Sequence, residues 1–310
     1  MILSASRRTD IPAFYGEWFV NRLREGFVCV RNPFNYHQVS KIILSPENVD
    51  CIVFWTKDAR EFIKYLDEID KLGYKYYFQY TITPYDDSIE LGISEKSDII
   101  ENFKILSNRL GSDRVLWRYD PILFANEIDL IYHIKKFQNM VSILKDYTES
   151  ATISFLDSYI KTGKRTDFLK TLSKEQMVNV GNAFADIANA ANMKIKTCAE
   201  EIVFYNGIEK ASCIDKTLIE RLAGMPIDAK KDKNQRRECL CVESIDIGEY
   251  DTCKHFCNYC YANGCERKII NKCSRHIVTS PLLIGQIEKE DIIKEKDLPS
   301  FKKMQQTFFD

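Results

Sequence analysis

Short apolar runs alternate along the chain with longer stretches in which apolar residues recur every three or four positions. The short runs are "ILSAS" (2–6), "FVCVR" (27–31), "DCIVFW" (50–55), "YKYYFQYTI" (74–82), "RVLWRY" (114–119), "ATISFL" (151–156) and "KIKTCA" (194–199). They are rich in β-branched and aromatic residues, and several lack the alternation of a half-solvated strand. That is the pattern of strands buried on both faces, as in a parallel sheet. The periodic stretches at 13–25, 59–72, 94–110, 127–146 and 174–192 read as helices, with 158–172 a looser one. In "AREFIKYLDEIDKLG", Phe62, Ile63, Leu66, Ile69 and Leu72 share a helical face, and Gly73 fits the stop that follows it.

Strand–helix repetition implies parallel strands joined by crossover helices. Six or seven such units suit an α/β fold of the TIM type, a (βα) barrel that is complete or partial. An open doubly wound sheet is the alternative, weakened by the lack of a Gly-rich dinucleotide or P-loop fingerprint after any strand. The expected layout is barrel repeats over 1–227, a cysteine-rich segment over 228–285 packed on the barrel mouth, and a charged tail over 286–310. That tail reads as a docking helix or a partly disordered end.

A net charge of -1 argues against a sequence-independent hold on nucleic acid, which needs many phosphate-neutralising side chains. No apolar run approaches membrane-spanning length, and the start carries no signal-peptide core, so a cytoplasmic protein is expected. Thiols stay reduced there, which turns the 11 cysteines away from a disulfide framework and toward metal.

In parallel α/β folds the loops after the strands carry the chemistry. Here Arg7, Arg8 and Asp10 follow the first strand, and Asn32–Asn35 the second. Lys57 and Asp58, then Thr81 and Thr83, follow the next two. Arg118 and Asp120, Asp157, and Glu200 follow the last three. One such Asp is ordinarily a helix cap, and Arg118 with Asp120 could be a simple pair. Recurrence at nearly every strand end predicts a mixed-charge pocket instead, with Arg7, Arg8, Asp10, Lys57, Arg118, Asp120 and Glu200 as candidate catalytic residues. It would suit a small-molecule substrate. The four histidines form no zinc-hydrolase pattern; His133 reads as structural and His255 lies inside a cysteine loop.

That loop is "TCKHFCNYCYANGC" (252–265), with Cys253, Cys257 and Cys260 at C-x3-C-x2-C. Inert buried thiols are the natural reading of Cys29 and Cys51, which sit in apolar strands. They fit three cysteines in a polar loop poorly. Structural zinc could take Cys257 and Cys260 with two further ligands among Cys239, Cys241, Cys265 and Cys273. Three thiolates could instead hold a [4Fe–4S] cluster and leave one iron open. Tyr259 could then lie against the cluster or an adenine ring. Cys198, Cys213, Cys239 and Cys241 are a candidate auxiliary site for a second iron–sulfur cluster or zinc. Cys265 and Cys273 read as free thiols.

"CKHFCNYC" resembles the C-x3-C-x-aromatic-C signature of the radical S-adenosylmethionine enzymes. The resemblance implies a [4Fe–4S] cluster on Cys253, Cys257 and Cys260, with S-adenosylmethionine on the open iron and Tyr259, Tyr261 and Asn263 near the cofactor. It implies a 5′-deoxyadenosyl radical that abstracts hydrogen from an unknown substrate. It also implies an electron donor, a reductase or a flavodoxin- or ferredoxin-type protein. Over nearly its whole length the chain also resembles a bacterial family of unknown function, through "SASRRTDIPAFYGEWF", "VRNPFN", "VFWTKD", "WRYDPI", "CVESIDIGEYDTCKHFCNYCYAN" and "SPLLIG". The radical enzymes mostly carry their cysteine loop after the first barrel strand. Here it follows the last candidate, "CLCVESI" (239–245). Barrel closure would bring the last strand beside the first and the loop beside Arg7, Arg8 and Asp10.

Overall fold

The structure is a computed structural model that describes residues 1–156, 163–202, 204, 207–296 and 298–303. Asp157 and the first part of the looser helical stretch, 158–162, lie outside the described residues.

The strands are β1 (Ile2–Ala5), β2 (Phe27–Asn32), β3 (Asn35–Ile43), β4 (Cys51–Thr56), β5 (Tyr76–Thr81), β6 (Val115–Ile122), β7 (Ser150–Phe155), β8 (Lys194–Cys198), β9 (Glu209–Ala211), β10 (Ile245–Asp246) and β11 (Ile292–Lys296). The α-helices are α1 (Ile11–Phe14), α2 (Gly16–Glu25), α3 (Leu66–Lys71), α4 (Lys96–Leu110), α5 (Leu130–Leu144), α6 (Lys174–Ala190), α7 (Lys216–Ala223) and α8 (Glu266–Cys273). Eight strands form one sheet in the order β10-β1-β4-β5-β6-β7-β8-β9. Every pairing within it is parallel.

The local signals behave as their chemistry requires. Asp129 caps α5 by accepting from the Tyr132 amide at 2.9 Å, and Ser173 with Gln176 forms a capping box at the start of α6. Gly73 follows α3 at φ 88°, in the left-handed region that ends helices. Successive side chains along each strand point to opposite faces. Ile52, Phe54, Phe78, Trp117 and Ile153 lie in the large core beneath the helices. Their neighbours Cys51, Val53, Tyr77 and Leu116 face the other way, into a smaller core with Cys213, Cys239 and Cys241.

The sheet is curled but not closed. β5 and β9 are four strands apart, about 19 Å across a flat sheet. Even so, Tyr77 Oη and Gln79 Nε2 on β5 both donate to the carbonyl of Cys213, just beyond β9, at 2.8 Å. The edge strands β9 and β10 share no ladder. Single hydrogen bonds bridge the gap, from Val242 N to Ile214 O (3.2 Å) and from Ser212 Oγ to Leu240 O (3.1 Å). The expected α/β parallel sheet is present, but it stays curled and open and does not close into a complete TIM barrel.

Three other expectations change. "FVCVR" is not a barrel strand. It forms a hairpin with β3, and β11 joins β3 in parallel to make a separate three-stranded sheet. The turn residues Asn32-Pro33-Phe34-Asn35 allow the reversal, and they leave Phe34 96% exposed at the tip, away from the strand-end pocket. The tail is likewise a strand rather than a docking helix over Ile292–Lys296. "CLCVESI" supplies only Ile245, the first residue of the two-residue β10, as strand. Within the stretch 228–285, β10 joins the same sheet as β1.

Candidate functional site

β10 pairs beside β1, Leu3 with Ile245 and Ser4 with Asp246. This is the adjacency the cysteine loop needs, achieved at an open edge without closure. Asp246 fastens it. Its carboxylate accepts from Ser4 Oγ (3.0 Å), Ser6 Oγ (2.6 Å), the Arg7 amide (2.7 Å) and the Gly248 amide (3.0 Å). A Cβ on Gly248 would meet Ser6 Oγ at 2.1 Å, so only glycine allows this approach.

From there the chain runs into the loop of Cys253, Cys257 and Cys260. The segment after β5 clamps it. Glu90 bridges Cys257 in antiparallel fashion, and backbone hydrogen bonds link Asn258 N to Ile89 O (2.9 Å) and Gly92 N to His255 O (2.8 Å). A Cβ on Gly92 would meet Lys254 O at 2.5 Å. Asp10 caps α1 through the Ala13 amide (2.9 Å). Its other oxygen accepts from the Lys57 amide (2.7 Å) and meets His255 Nε2 at 2.8 Å. Asp10 thus does cap a helix, and it also ties the loops after β1 and β4 to the cysteine loop.

Glu90 is the centre of the clamp and is 1% exposed. It accepts from Lys57 Nζ (2.7 Å), Lys96 Nζ (2.5 Å), Thr83 Oγ1 (2.6 Å) and the Tyr259 hydroxyl. Burial alone would raise its pKa, but Lys57 and Lys96 outweigh burial and hold it at about 2. Burial and the Glu90 charge push the Tyr259 phenol well up, so it stays protonated and donates. Tyr259 therefore braces the loop from inside. Tyr261 donates from its hydroxyl to Arg7 O at 2.9 Å, and Asn263 Nδ2 donates to Cys253 O at 2.8 Å. Arg165 Nη2 donates to Asn263 O at 2.7 Å.

Cys257 is buried and Cys253 and Cys260 are half-buried, and desolvation raises the pKa of each thiol. Among the described residues, one trio of His, Cys, Asp or Glu brings its ligand atoms within 4.8 Å of one another: His37, Glu288 and Asp291. That trio lies on the separate sheet, where Asp291 is already paired with Arg31 at 2.6 Å. At least one pair of loop sulfurs is thus more than 4.8 Å apart, wider than the roughly 3.8 Å that tetrahedral zinc with Zn–S of about 2.3 Å imposes. Buried polar atoms without a partner lie on the segments that meet here: Arg7 Nη2, Thr9 Oγ1 and Asn263 Oδ1. Three thiols on one loop, with spare donors and acceptors on these segments, fit a thiolate-held cluster and a polar ligand on it.

The remaining candidates sort into a second group on the inner face. Trp55 lies between two guanidiniums, Arg7 at 5.4 Å and Arg118 at 5.5 Å from its ring. Arg118 pairs with Asp120, which also accepts from Ser154 Oγ, and reaches Cys213 Sγ at 2.8 Å. Arg8 turns away and lies over Tyr250 at 5.2 Å. Glu200 accepts from the Phe155 amide at 2.8 Å. Cys198 and Cys213 sulfurs are 3.0 Å apart, and Cys213 and Cys239 each contact Cys241. Cys265 is exposed, and Cys273 meets the Tyr15 hydroxyl at 3.3 Å.

Glu90, Asp246 and Trp55 escape a reading of strand ends. Glu90 lies nine residues beyond β5, in "DDSIELG", with Gly92 two residues on as the one local sign of a close approach. Asp246 ends a strand too short to show a pattern.

A curled, open parallel α/β sheet with a cysteine loop set at its C-terminal rim defines the class of protein. The chain belongs to the family described as "Domain of unknown function (DUF1848)", whose model matches residues 2–262. No curated protein matches it. Among solved structures, a "putative alpha-L-fucosidase" from Bacteroides thetaiotaomicron is similar at 12% identity and a TM-score of 0.27. The match covers 56% of this chain and 72% of that one, and likeness at this level carries no argument. No helix among the described residues is long and apolar enough to cross a membrane.

Proposed function

We propose that the protein is a radical S-adenosylmethionine-type enzyme, with Cys253, Cys257 and Cys260 holding a [4Fe–4S] cluster at the rim of the curled sheet. The observation that carries this reading is the position of the loop: β10 lies beside β1, so the three thiols share the C-terminal rim with Arg7, Asp10, Lys57 and Glu90. Bound there, such a cluster supplies one-electron reduction of S-adenosylmethionine, giving a 5′-deoxyadenosyl radical for hydrogen abstraction from substrate.

The chain's own residues have separate tasks. The Asp10–His255 and Glu90–Tyr259 contacts fix the loop from two sides. Partial burial of the thiols limits access of water to the cluster. Arg7 Nη2 and Asn263 Oδ1 remain to bind a polar, charged cofactor such as the amino acid end of S-adenosylmethionine. The inner face, with Arg118, Asp120, Ser154 and Trp55, offers a substrate both charge and a ring to stack on. A one-electron donor protein of the flavodoxin or ferredoxin type is the expected partner.

Anaerobically prepared protein should be brown, hold about four iron and four sulfide at the loop, and release 5′-deoxyadenosine from S-adenosylmethionine on reduction. Colourless protein loaded with zinc alone, made anaerobically with iron in excess, would overturn the proposal.

A further inference from the structure

We propose that Cys198, Cys213, Cys239 and Cys241 form a second, four-thiolate metal centre on the inner face of the sheet, independent of the rim loop. The four residues come from three places: the end of β8, the stretch just after β9, and the stretch that leads to β10. They meet where hydrogen bonds bridge the open edges of the sheet. Cys198 Sγ lies 3.0 Å from Cys213 Sγ, Cys213 contacts Cys241, and Cys241 contacts Cys239. Cys213, Cys239 and Cys241 are each less than 8% exposed.

Two features separate this quartet from inert core thiols. The first is its donors. Arg118 Nη1 points at Cys213 Sγ from 2.8 Å, and the Ile214 amide points at Cys241 Sγ from 3.3 Å. Hydrogen-bond donors aimed at sulfur are what tune and stabilise metal-bound thiolates. The second is charge. Arg118 is buried beside the quartet, and Arg7, whose Nη2 has no hydrogen-bond partner among the described residues, lies near Cys241, Cys213 and Asp246. Asp120 already pairs with Arg118, and an anionic thiolate centre adds to the compensation of these two guanidiniums. Cys51, in the same small core, receives no such donor among the described residues and serves as the inert comparison.

A disulfide between Cys198 and Cys213 would use two sulfurs and leave Cys239 and Cys241 without a purpose. The contacts run as a chain, and no three of these sulfurs lie within 4.8 Å of one another. A cluster, whose ligands sit on separate metal atoms, suits the spread of the outer sulfurs and would part Cys198 from Cys213. A single zinc ion would draw the outer two sulfurs inward. Both fillings use the same four-thiolate chemistry, and metal analysis distinguishes them.

The test uses the full chain with Cys253→Ala, Cys257→Ala and Cys260→Ala combined, so the rim loop contributes nothing and its failure cannot be confused with this one. Zinc, iron and acid-labile sulfide are measured after anaerobic preparation with both metals supplied. The expected result is about one zinc, or about four iron with matching sulfide, per chain. Adding Cys213→Ser and Cys241→Ser should lower that at least tenfold. A triple variant that keeps the wild-type circular dichroism but holds no metal would overturn the proposal. So would intact mass showing a Cys198–Cys213 disulfide in protein handled without oxygen. Should the triple variant not fold, alkylation of the wild-type protein is read by peptide mass spectrometry. Chelator should make the four cysteines reactive while leaving Cys51 protected, and labelling that chelator does not change would overturn it.

Discussion

The rim loop and the inner quartet are both groups of buried and half-buried cysteines, yet they are assembled in opposite ways. The rim thiols fall within eight residues and would cluster in almost any fold; what the fold adds is a clamp from outside. The quartet spans Cys198 to Cys241 and has no local cause at all. It exists because a curled sheet brings β5, the end of β9 and the approach to β10 around one point. A local site depends on its clamp and should fail in steps. A topological site depends on the whole sheet and should fail with the fold.

The sharpest way to break this comparison is Cys257→Ala. Iron at the rim and release of 5′-deoxyadenosine should fall to background, while thermal stability and metal at the quartet stay near wild type. Loss of both metals together would show that the two sites are one unit.

Glu90→Gln comes next. It leaves the half-buried Lys57 and Lys96 without their shared counter-charge, so up to about 3 kcal/mol of stability should disappear in urea unfolding. Rim iron should drop before quartet metal does. Equal losses would mean that Glu90 serves the sheet and not the loop.

The outer face supplies a control on pH. His133 accepts from the Tyr119 hydroxyl and donates to Leu123 O, both at 2.8 Å, and burial holds its pKa down at about 4. A base held neutral in the fold binds fewer protons than in the unfolded chain. Its contribution is therefore complete above the ordinary value near 6.5 and is lost as pH falls from there to about 4. The window corresponds to about 3 kcal/mol at most. Unfolding curves for wild type and His133→Gln should converge across that range, with no change in the metal content of either site. Parallel curves would remove His133 as the source.

Gly92→Ala should cost about 1–3 kcal/mol, because its Cβ would press on Lys254 O at 2.5 Å and push the cysteine loop away from the β5 segment. Rim iron occupancy checks it. The smallest effect belongs to Cys265→Ser. Its side chain is exposed and outside both groups, so stability should stay within about 0.5 kcal/mol and metal content unchanged.

Much of the fold is legible in the chain itself. Buried parallel strands show as apolar runs, and β4 through β8 fall where those runs do. The helix stop at Gly73 and the C-x3-C-x2-C loop are likewise local facts. Glu90 is not legible, because a clamp in the middle of a loop has neither periodicity nor strand-end position. "FVCVR" misleads for a related reason: an apolar run does not say which sheet it joins. Its turn, with Phe34 left at the tip, settles that through pairing with β3. Arg118 and Asp120 are visible as a pair, but their direction toward Cys213 is not.

Residue order alone sets the alternation of strands and helices, the family membership and the local spacing of the three rim cysteines. These depend on residues a few positions apart, where covalent geometry and side-chain period leave little choice. Three-dimensional packing was needed to leave the sheet open and still bring β10 to β1 through Asp246. The same packing makes four distant thiols meet beside Arg118. Those outcomes depend on how far the sheet curls, which is set by packing on both faces at once and is written in no single stretch of the chain.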